Sequence, residues 1–166
     1  MTAIWLPGSF LGATTLKSFQ GKMWKEGYAS GELVGHVYPD FVPALNWCRD
    51  NGVKVCIYSS GSVAAQKLLF AHTEHGDVTS HFGGHYDTTS GSKMESASYG
   101  SIARALGVET REVIFVSDLE AEVRAADAAG MVAVVAARPG NAPLSGATKE
   151  RYPVVRSLLQ LCGTED

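Results

Sequence analysis

The apolar positions of this chain form short runs that alternate with stretches of helical period. One run, introduced by an Asn-Gly turn signal, consists of Val53, Val55, Cys56, Ile57 and Tyr58. A short and nearly continuous apolar run is typical of a strand buried on both faces of a sheet. Residues 63–70 then follow a helical period. The sequence therefore predicts a strand that passes almost directly into a helix.

The same alternation continues along the chain. Residues 113–117 and 131–136 are further apolar runs, and residues 85–88 form a weaker one. Helical periods cover residues 95–107 and 119–130, and both end in glycine, as helices often do. Strands that alternate with helices require crossover connections, so the pattern predicts an α/β fold with a parallel sheet covered on both faces.

Polar residues follow the ends of the predicted strands. Ser59 and Ser60 come after the first strand, Asp118 follows residues 113–117, and a turn follows the weaker run. Ligands of open parallel sheets bind at the carboxyl ends of the strands, so these positions form the candidate site. A helix N-terminus beside the serines can hold an anion such as phosphate through its unpaired N–H groups. The alternative is that Ser59, Ser60 or Ser62 only caps the helix.

Two carboxylates and a lysine extend this candidate site. Asp118 and Glu122 are four residues apart, at a strand end and in the first helical turn, so both carboxylates can face one point. Carboxylate oxygens suit Mg²⁺, which commonly bridges to a substrate phosphate. Lys93 lies in a Gly/Ser loop just before a helix. An anion held against a metal is the arrangement that phosphoryl transfer uses.

Two of these charged residues also have a simpler interpretation. Glu122 could be a solvated helix residue that interacts favourably with the helix dipole. Lys93 could be an ordinary surface charge, as most lysines in loops are. The residue pattern leaves both interpretations open.

Composition excludes some classes of partner and location. The chain has 166 residues, 45% of them apolar, and a net charge of −3. This size fits one globular domain, and the scattered lysines and arginines form no binding surface for nucleic acid or a membrane. Three cysteines without C-x-x-C spacing are typical of reduced thiols, which predicts a cytoplasmic protein.

Four segments of the chain resemble one family of enzymes. They are IYSSGSVAAQKLLF, GDVTSHFGGHYDTTSGSKMESASYGSIA, VIFVSDLEAEVRAADAAGM and RPGNAPL. Together they resemble the enolase-phosphatases of methionine salvage, which belong to the haloacid dehalogenase superfamily. The resemblance implies a Rossmann-like parallel sheet of the haloacid dehalogenase type. It also implies a Mg²⁺-dependent phosphatase that enolises and dephosphorylates 2,3-diketo-5-methylthiopentyl-1-phosphate.

By the same resemblance, each candidate residue takes a specific role. Ser59 and Ser60 bind the substrate phosphate, Lys93 steadies the phosphate and the nucleophile, and Asp118 binds Mg²⁺. Glu122 stands where relatives often keep a second acid and is the weaker metal candidate. The implied partner is a small phosphorylated molecule.

The family also has a motif that this sequence lacks. The family's first strand ends in Asp-x-Glu-Gly-Thr-Thr, whose aspartate is the nucleophile, and no aspartate before residue 118 is followed by that pattern. We therefore interpret the chain as N-terminally truncated relative to the family. Residues 1–36 are then the remnant of a helical cap, and residues 37–166 are the phosphatase core without its first strand.

Without the family's first strand, a position in the middle of the predicted sheet is empty, and it could be filled or closed in several ways. Residues 2–6 could form the strand or be a piece of cap helix, and the neighbouring strands could also close directly. An unfilled gap would expose an apolar groove through which the chain could self-associate. Two functions stay open: an enolase-phosphatase, and a non-catalytic remnant of that enzyme that keeps only a phosphate-binding pocket.

Overall fold

A parallel sheet of six strands lies at the centre of the protein. The computed structural model describes the backbone of residues 2–4 and all of residues 23–164. The strands are β1 (Thr2–Ile4), β2 (Lys54–Tyr58), β3 (Phe82–Tyr86), β4 (Val113–Ser117), β5 (Val132–Ala136) and β6 (Val154–Val155). Their order across the sheet is β3-β2-β1-β4-β5-β6, and all neighbouring pairs are parallel.

Helices follow most of the strands and cover the sheet. They are α1 (Phe41–Asp50), α2 (Val63–Ala71), α3 (Ser96–Leu106), α4 (Glu120–Ala128) and α5 (Gly146–Arg151), and residues 23–29 are helical as well. The helix α2 begins after Ser62, whose hydroxyl accepts a hydrogen bond from the Ala65 N–H at 3.2 Å. The helix α3 ends at Gly107, whose left-handed conformation, with φ of 72°, is the common glycine C-cap.

Two apolar clusters pack against opposite faces of the sheet. Cys56 and Tyr58 of β2 belong to one cluster, and Val55 and Ile57 belong to the other. All four are buried. Because successive side chains of a strand point to opposite faces, this division confirms that β2 is covered on both sides, as its continuous apolar run predicted.

Most of the predicted elements are present within one or two residues of their predicted bounds. The weaker strand is the exception: it was predicted for residues 85–88, and β3 instead spans Phe82–Tyr86. Gly83 and Gly84 hide the strand from a sequence pattern, since glycine is uncommon in strand interiors. The sequence pattern also gave no indication of α1, α5 or β6.

The place between β2 and β4 is filled by β1. Ala3 lies opposite Val55 on one side and opposite Ile114 on the other, and both pairings are parallel. Of the solutions that the sequence left open, a strand within residues 2–6 is therefore confirmed, and Thr2–Ile4 lies in the sheet and not in a cap remnant. The reason is physical, since two buried strands without a common neighbour would leave backbone groups unpaired, at about 1–3 kcal/mol each.

Residues 23–36 pack on the turn that follows α2. The Gly35 N–H donates to the His72 carbonyl at 2.7 Å, and the Glu74 N–H donates to the Gly35 carbonyl at 3.1 Å. The Tyr28 ring lies 5.3 Å from the ring of His72. A domain boundary at residue 36 stays a prediction.

Two further observations bear on the expectations from composition. The cysteines Cys48, Cys56 and Cys162 are all free thiols. In the part of the chain that is described, the helices are too short or too polar to span a membrane.

The central position of β1 can be tested with a proline. We expect Ala3→Pro to lower the free energy of unfolding by about 3 kcal/mol or more, because proline removes a ladder N–H and clashes with its neighbours in a central strand. Urea unfolding followed by circular dichroism measures this. The matched control is Gly146→Pro at the first position of α5, where proline is favoured. Equal, small effects of both substitutions would contradict the pairing of β1.

Candidate functional site

The predicted site residues lie at one edge of the sheet, where the strands end. Ser59 follows β2 and Asp118 follows β4, and both strands run parallel to β1 between them. Parallel strands have their carboxyl ends on the same side, so both residues share this edge. Lys93 and Glu122 are joined to each other by an ion pair. Among the described residues, no hydrogen bond or ion pair links Ser59 or Asp118 to that pair.

Ser59 begins a tight turn that is bonded to the end of β3. Its N–H donates to the Tyr86 carbonyl at 3.1 Å, and its hydroxyl accepts from the Gly61 N–H at 3.1 Å. Ser59 is buried, whereas Ser60 is half-buried and makes no hydrogen bond to another described residue.

The first turn of α2 already has partners for two of its N–H groups. Ser62 caps the helix through Ala65, which confirms the capping interpretation for this serine. The Val63 N–H donates to the Asp87 carboxylate at 3.1 Å. An anion at this end of α2 would therefore contact the turn before the helix more readily than the helix amides themselves.

Lys93 and Glu122 form a buried ion pair. Lys93 Nζ lies 2.6 Å from Glu122 Oε2, and the two side chains are only 8% and 4% exposed. The same carboxylate oxygen accepts a hydrogen bond from the Ser117 hydroxyl at 2.8 Å, and Ser117 accepts from the Leu119 N–H at 3.1 Å. Lys93 is therefore not an ordinary surface charge, and Glu122 is not a solvated helix residue.

Two buried tyrosines hold the loop that carries Lys93. The Tyr99 hydroxyl donates to the Lys93 carbonyl at 2.7 Å, and the Tyr58 hydroxyl donates to the Gly91 carbonyl at 2.9 Å. Burial raises the pKa of both tyrosine hydroxyls, so both remain protonated donors. Lys93 Nζ also lies 5.7 Å from the centre of the Tyr58 ring, where the ring face attracts a cation.

Asp118 is oriented by the loop that follows β5. The Asn141 side-chain amide donates to Asp118 Oδ2 at 2.9 Å. The carbonyl oxygen of the same amide accepts from the Arg138 N–H at 2.6 Å. Because both ends of the Asn141 side chain are bonded, it holds the Asp118 carboxylate at a fixed position relative to the loop.

Arg138 connects this loop to Asp40, just before α1, and to Arg156, just after β6. Its Nη2 lies 2.6 Å from Asp40 Oδ2, and its Nη1 donates to the Arg156 carbonyl at 2.6 Å. The guanidinium also stacks 4.6 Å from the centre of the Tyr38 ring. Burial by itself raises the pKa of the Asp40 carboxyl, but the hydrogen bonds from Arg138 and from the Leu158 N–H outweigh it and lower that pKa.

Several of these contact residues were not predicted from the sequence. Asn141 belongs to a Pro-Gly-Asn turn that closely follows β5, so the strand-end rule could have found it. Ser117, Tyr58 and Tyr99 had no signal of their own, because each is a small or aromatic residue within an element that is buried anyway. Their roles depend on partners from other parts of the chain.

The described residues do not assemble a complete metal site. No group of three His, Cys, Asp or Glu side chains in this part of the chain comes together as metal ligands do. Glu122 Oε2 is already bonded to Lys93 and Ser117, so of the two predicted metal ligands Asp118 is the one that such bonds leave available. Mg²⁺ is usually held by one or two carboxylates together with waters and substrate phosphates, so Asp118 fits as one ligand of such a site and the described residues supply no further carboxylate ligand beside it.

A comparison with family models gives a match to the haloacid dehalogenase-like hydrolases over residues 11–130. The chain belongs to this family. The parallel sheet, with Ser59, Lys93 and Asp118 after its strands, is therefore the core of a haloacid dehalogenase-like hydrolase.

Curated relatives narrow the similarity to one group within the haloacid dehalogenase-like hydrolases. The enolase-phosphatase E1 of Drosophila virilis is 46% identical over 151 residues, covering 91% of this chain and 61% of that protein. Its counterpart in Danio rerio is 42% identical over 158 residues, covering 95% of this chain and 60% of the relative. The resemblance to enolase-phosphatases is thereby confirmed. The chain spans about three fifths of the length of these relatives.

Solved structures agree with the fold. The UTR4 protein of Saccharomyces cerevisiae is 37% identical with a TM-score of 0.76, over 88% of this chain and 66% of that one. A haloacid dehalogenase phosphatase from Thermococcus onnurineus is 26% identical with a TM-score of 0.68, over 86% and 62%. These similarities confirm the haloacid dehalogenase type of parallel sheet.

The buried ion pair yields a stability prediction for this haloacid dehalogenase-like core. We expect Glu122→Gln to lower the free energy of unfolding by about 3–5 kcal/mol, because it leaves the Lys93 ammonium buried without a counter-charge. Adding Lys93→Met should recover part of the loss in urea unfolding. The matched control is Glu112→Gln, which changes an exposed capping box that accepts glutamine. A cost for Glu122→Gln no larger than the control's would mean that Lys93 does not depend on Glu122.

The pair of Asp40 and Arg138 yields a pH-dependent prediction. Since the pKa of folded Asp40 is lowered, its stabilising effect is present above the ordinary value of 3.8 and is lost as the pH falls through the lower folded value. Asp40→Asn should therefore cost about 3 kcal/mol at neutral pH and progressively less below pH 3.8. Thermal unfolding across this range measures it, with Asp127→Asn beside the exposed Arg151 as the control. A cost that is independent of pH would contradict the ion pair.

Proposed function

We propose that this chain carries the phosphate-recognition part of an enolase-phosphatase. The substrate is 2,3-diketo-5-methylthiopentyl-1-phosphate of methionine salvage, which the enzyme enolises and then dephosphorylates in the cytoplasm. The observation that carries the proposal is the buried Lys93, held by Glu122 beside the strand ends where Ser59 and Asp118 lie. Similarity to enolase-phosphatases E1 at 42% to 48% identity supports the substrate class.

Different residues at the strand ends have different roles in holding the phosphate. Ser59 and Ser60 supply the turn and a hydroxyl that contact the phosphate oxygens, and Lys93 supplies a positive charge. A lysine in a buried environment neutralises an anion more strongly than one in water, because the local dielectric constant is lower. Positioning and charge neutralisation of this kind make up much of the catalysis in phosphoryl transfer.

For Mg²⁺, the proposal assigns one ligand from this chain. In the enolase-phosphatase, Mg²⁺ neutralises phosphate charge, and Asp118 is the residue of this chain that we assign to it, with Glu122 acting through Lys93. Since Asp118 alone does not complete an octahedral site, we expect the chain to bind Mg²⁺ weakly in the absence of phosphate.

The covalent step requires a carboxylate that the sequence does not supply after β1. Residues 1–22 contain neither aspartate nor glutamate, although β1 ends at Ile4, between the ends of β2 and β4. In phosphatases of this type a carboxylate attacks phosphorus while a neighbouring acid protonates the leaving oxygen. Trp5, Pro7 and Gly8 follow β1 in the order in which the family motif has Asp, Glu and Gly.

We therefore expect the chain to bind phosphate without hydrolysing its ester. With Mg²⁺ present, neither an aryl phosphate nor the diketo phosphate should release phosphate above background, because groups that act as one catalytic unit do not replace each other. The measurement is phosphate release at a fixed protein concentration. The comparison is the variant Trp5→Asp with Pro7→Glu, which restores Asp-x-Glu-Gly after β1.

Two outcomes contradict parts of this proposal. If the unmodified chain turned over within about tenfold of the restored variant, and Asp118→Ala abolished the activity, the chain would hold a nucleophile of its own. If inorganic phosphate and vanadate failed to bind, or bound equally well after Lys93→Met, the site would not be a phosphate site.

A further inference from the structure

Gln66 of α2 lies next to the turn formed by residues 59–61 and is almost completely buried. Its side-chain Nε2 donates to the Gly61 carbonyl at 2.9 Å and to the Tyr86 carbonyl at 2.8 Å. The residue is only 4% exposed, so water does not compete for these bonds. Because both partners are carbonyl oxygens, which only accept, the Gln66 amide has one allowed orientation, with its nitrogen toward the turn.

This orientation fixes the state of His85. Gln66 Oε1 lies 3.0 Å from His85 Nδ1, and an amide oxygen can only accept a hydrogen bond. His85 Nδ1 must therefore carry a proton. Burial, and then the nearby charge of Lys67, lower the pKa of His85, so at neutral pH the ring is neutral with the proton on Nδ1.

The Gln66 amide connects one end of the turn to β3, and the other end is bonded to β3 directly. Tyr86, the last residue of β3, accepts at its carbonyl from Gln66 and also from the Ser59 N–H at 3.1 Å. Gly61, at the other end of the turn, is held directly by the same amide. Residues 59–61 are thus held to β3 at both ends, at Ser59 by its own N–H and at Gly61 through the Gln66 side chain.

We propose that Gln66 and His85 are positioning residues, which hold residues 59–61 in the shape that binds phosphate. The inference rests on the proposed phosphate site and adds two residues to it, neither of which touches the ligand. Its physical basis is pre-organisation: a turn that is already ordered loses less conformational entropy when the anion binds. Loss of the Gln66 donors frees the Gly61 carbonyl and lets the Ser60 N–H and hydroxyl move away from the anion.

The test replaces the donors of Gln66 and keeps its size. Glu at this position offers only acceptor oxygens to the two carbonyls, so we expect Gln66→Glu to weaken binding of inorganic phosphate and vanadate about tenfold or more. Titration followed by ¹H–¹⁵N NMR at the Ser60 and Gly61 amides measures the affinity at the turn itself. The matched control is Gln160→Glu, because Gln160 uses only its side-chain oxygen, which accepts from the N–H groups of Arg156 and Ser157.

A second control separates positioning from general loss of stability. Val134→Ala removes buried volume in β5, which β1 and β4 separate from β2, and should lower the unfolding temperature without changing phosphate affinity beyond about twofold. If this variant weakened phosphate binding as much as Gln66→Glu, at a comparable loss of stability, the positioning role would be overturned.

The histidine gives an independent readout. Long-range ¹H–¹⁵N spectra of the unsubstituted chain should show His85 protonated on Nδ1; protonation on Nε2 alone would overturn the arrangement. His85→Asn keeps an N–H donor and should bind phosphate more tightly than His85→Phe, which removes it. An unchanged affinity in Gln66→Glu overturns the positioning role alone, whereas no phosphate-induced shift in the unsubstituted chain overturns the phosphate site on which it rests.

Discussion

The pairing of β1 with both of its neighbours is the constraint on which the rest of the structure depends. Buried backbone N–H and C=O groups must be hydrogen-bonded, and β2 and β4 satisfy theirs on this side through a strand common to both. Three residues, Thr2–Ile4, meet that requirement. The common neighbour also brings the ends of β2 and β4 to one edge of the sheet, which is where Ser59 and Asp118 follow.

Around that edge, each polar group is held by a partner from a different element. Glu122 of α4 holds Lys93 from the loop before α3, and Asn141 from the loop after β5 holds Asp118. Gln66 of α2 holds the turn of residues 59–61 at Gly61. Such cross-connections cost little when the ligand binds, because the groups are ordered before it arrives, and they make the site sensitive to residues that never touch it.

Binding a phosphate and hydrolysing its ester require different groups at this edge of the sheet. Recognition needs a positive charge, N–H groups and a fixed turn, and we propose Lys93 and residues 59–61 for these roles. Cleavage needs a nucleophilic carboxylate beside the anion, and residues 5–22, which directly follow β1, contain none. The fold of a haloacid dehalogenase-like hydrolase is present, and our proposal assigns to it phosphate binding without the covalent step.

The sequence by itself determined β2, β4 and β5, the helices between them, and the residues after the strand ends, because these depend on local periodicity and on the strand-end rule. Only the tertiary structure decided where β1 lies, since three residues carry no period and their strand conformation depends on backbone pairing with residues more than 50 positions away. The partners of Glu122, Asn141 and Gln66 were decided in the same way. Burial and hydrogen bonding between distant segments leave no mark in local composition, so a carboxylate that looks like a metal ligand in the sequence is found bonded to a lysine in the fold.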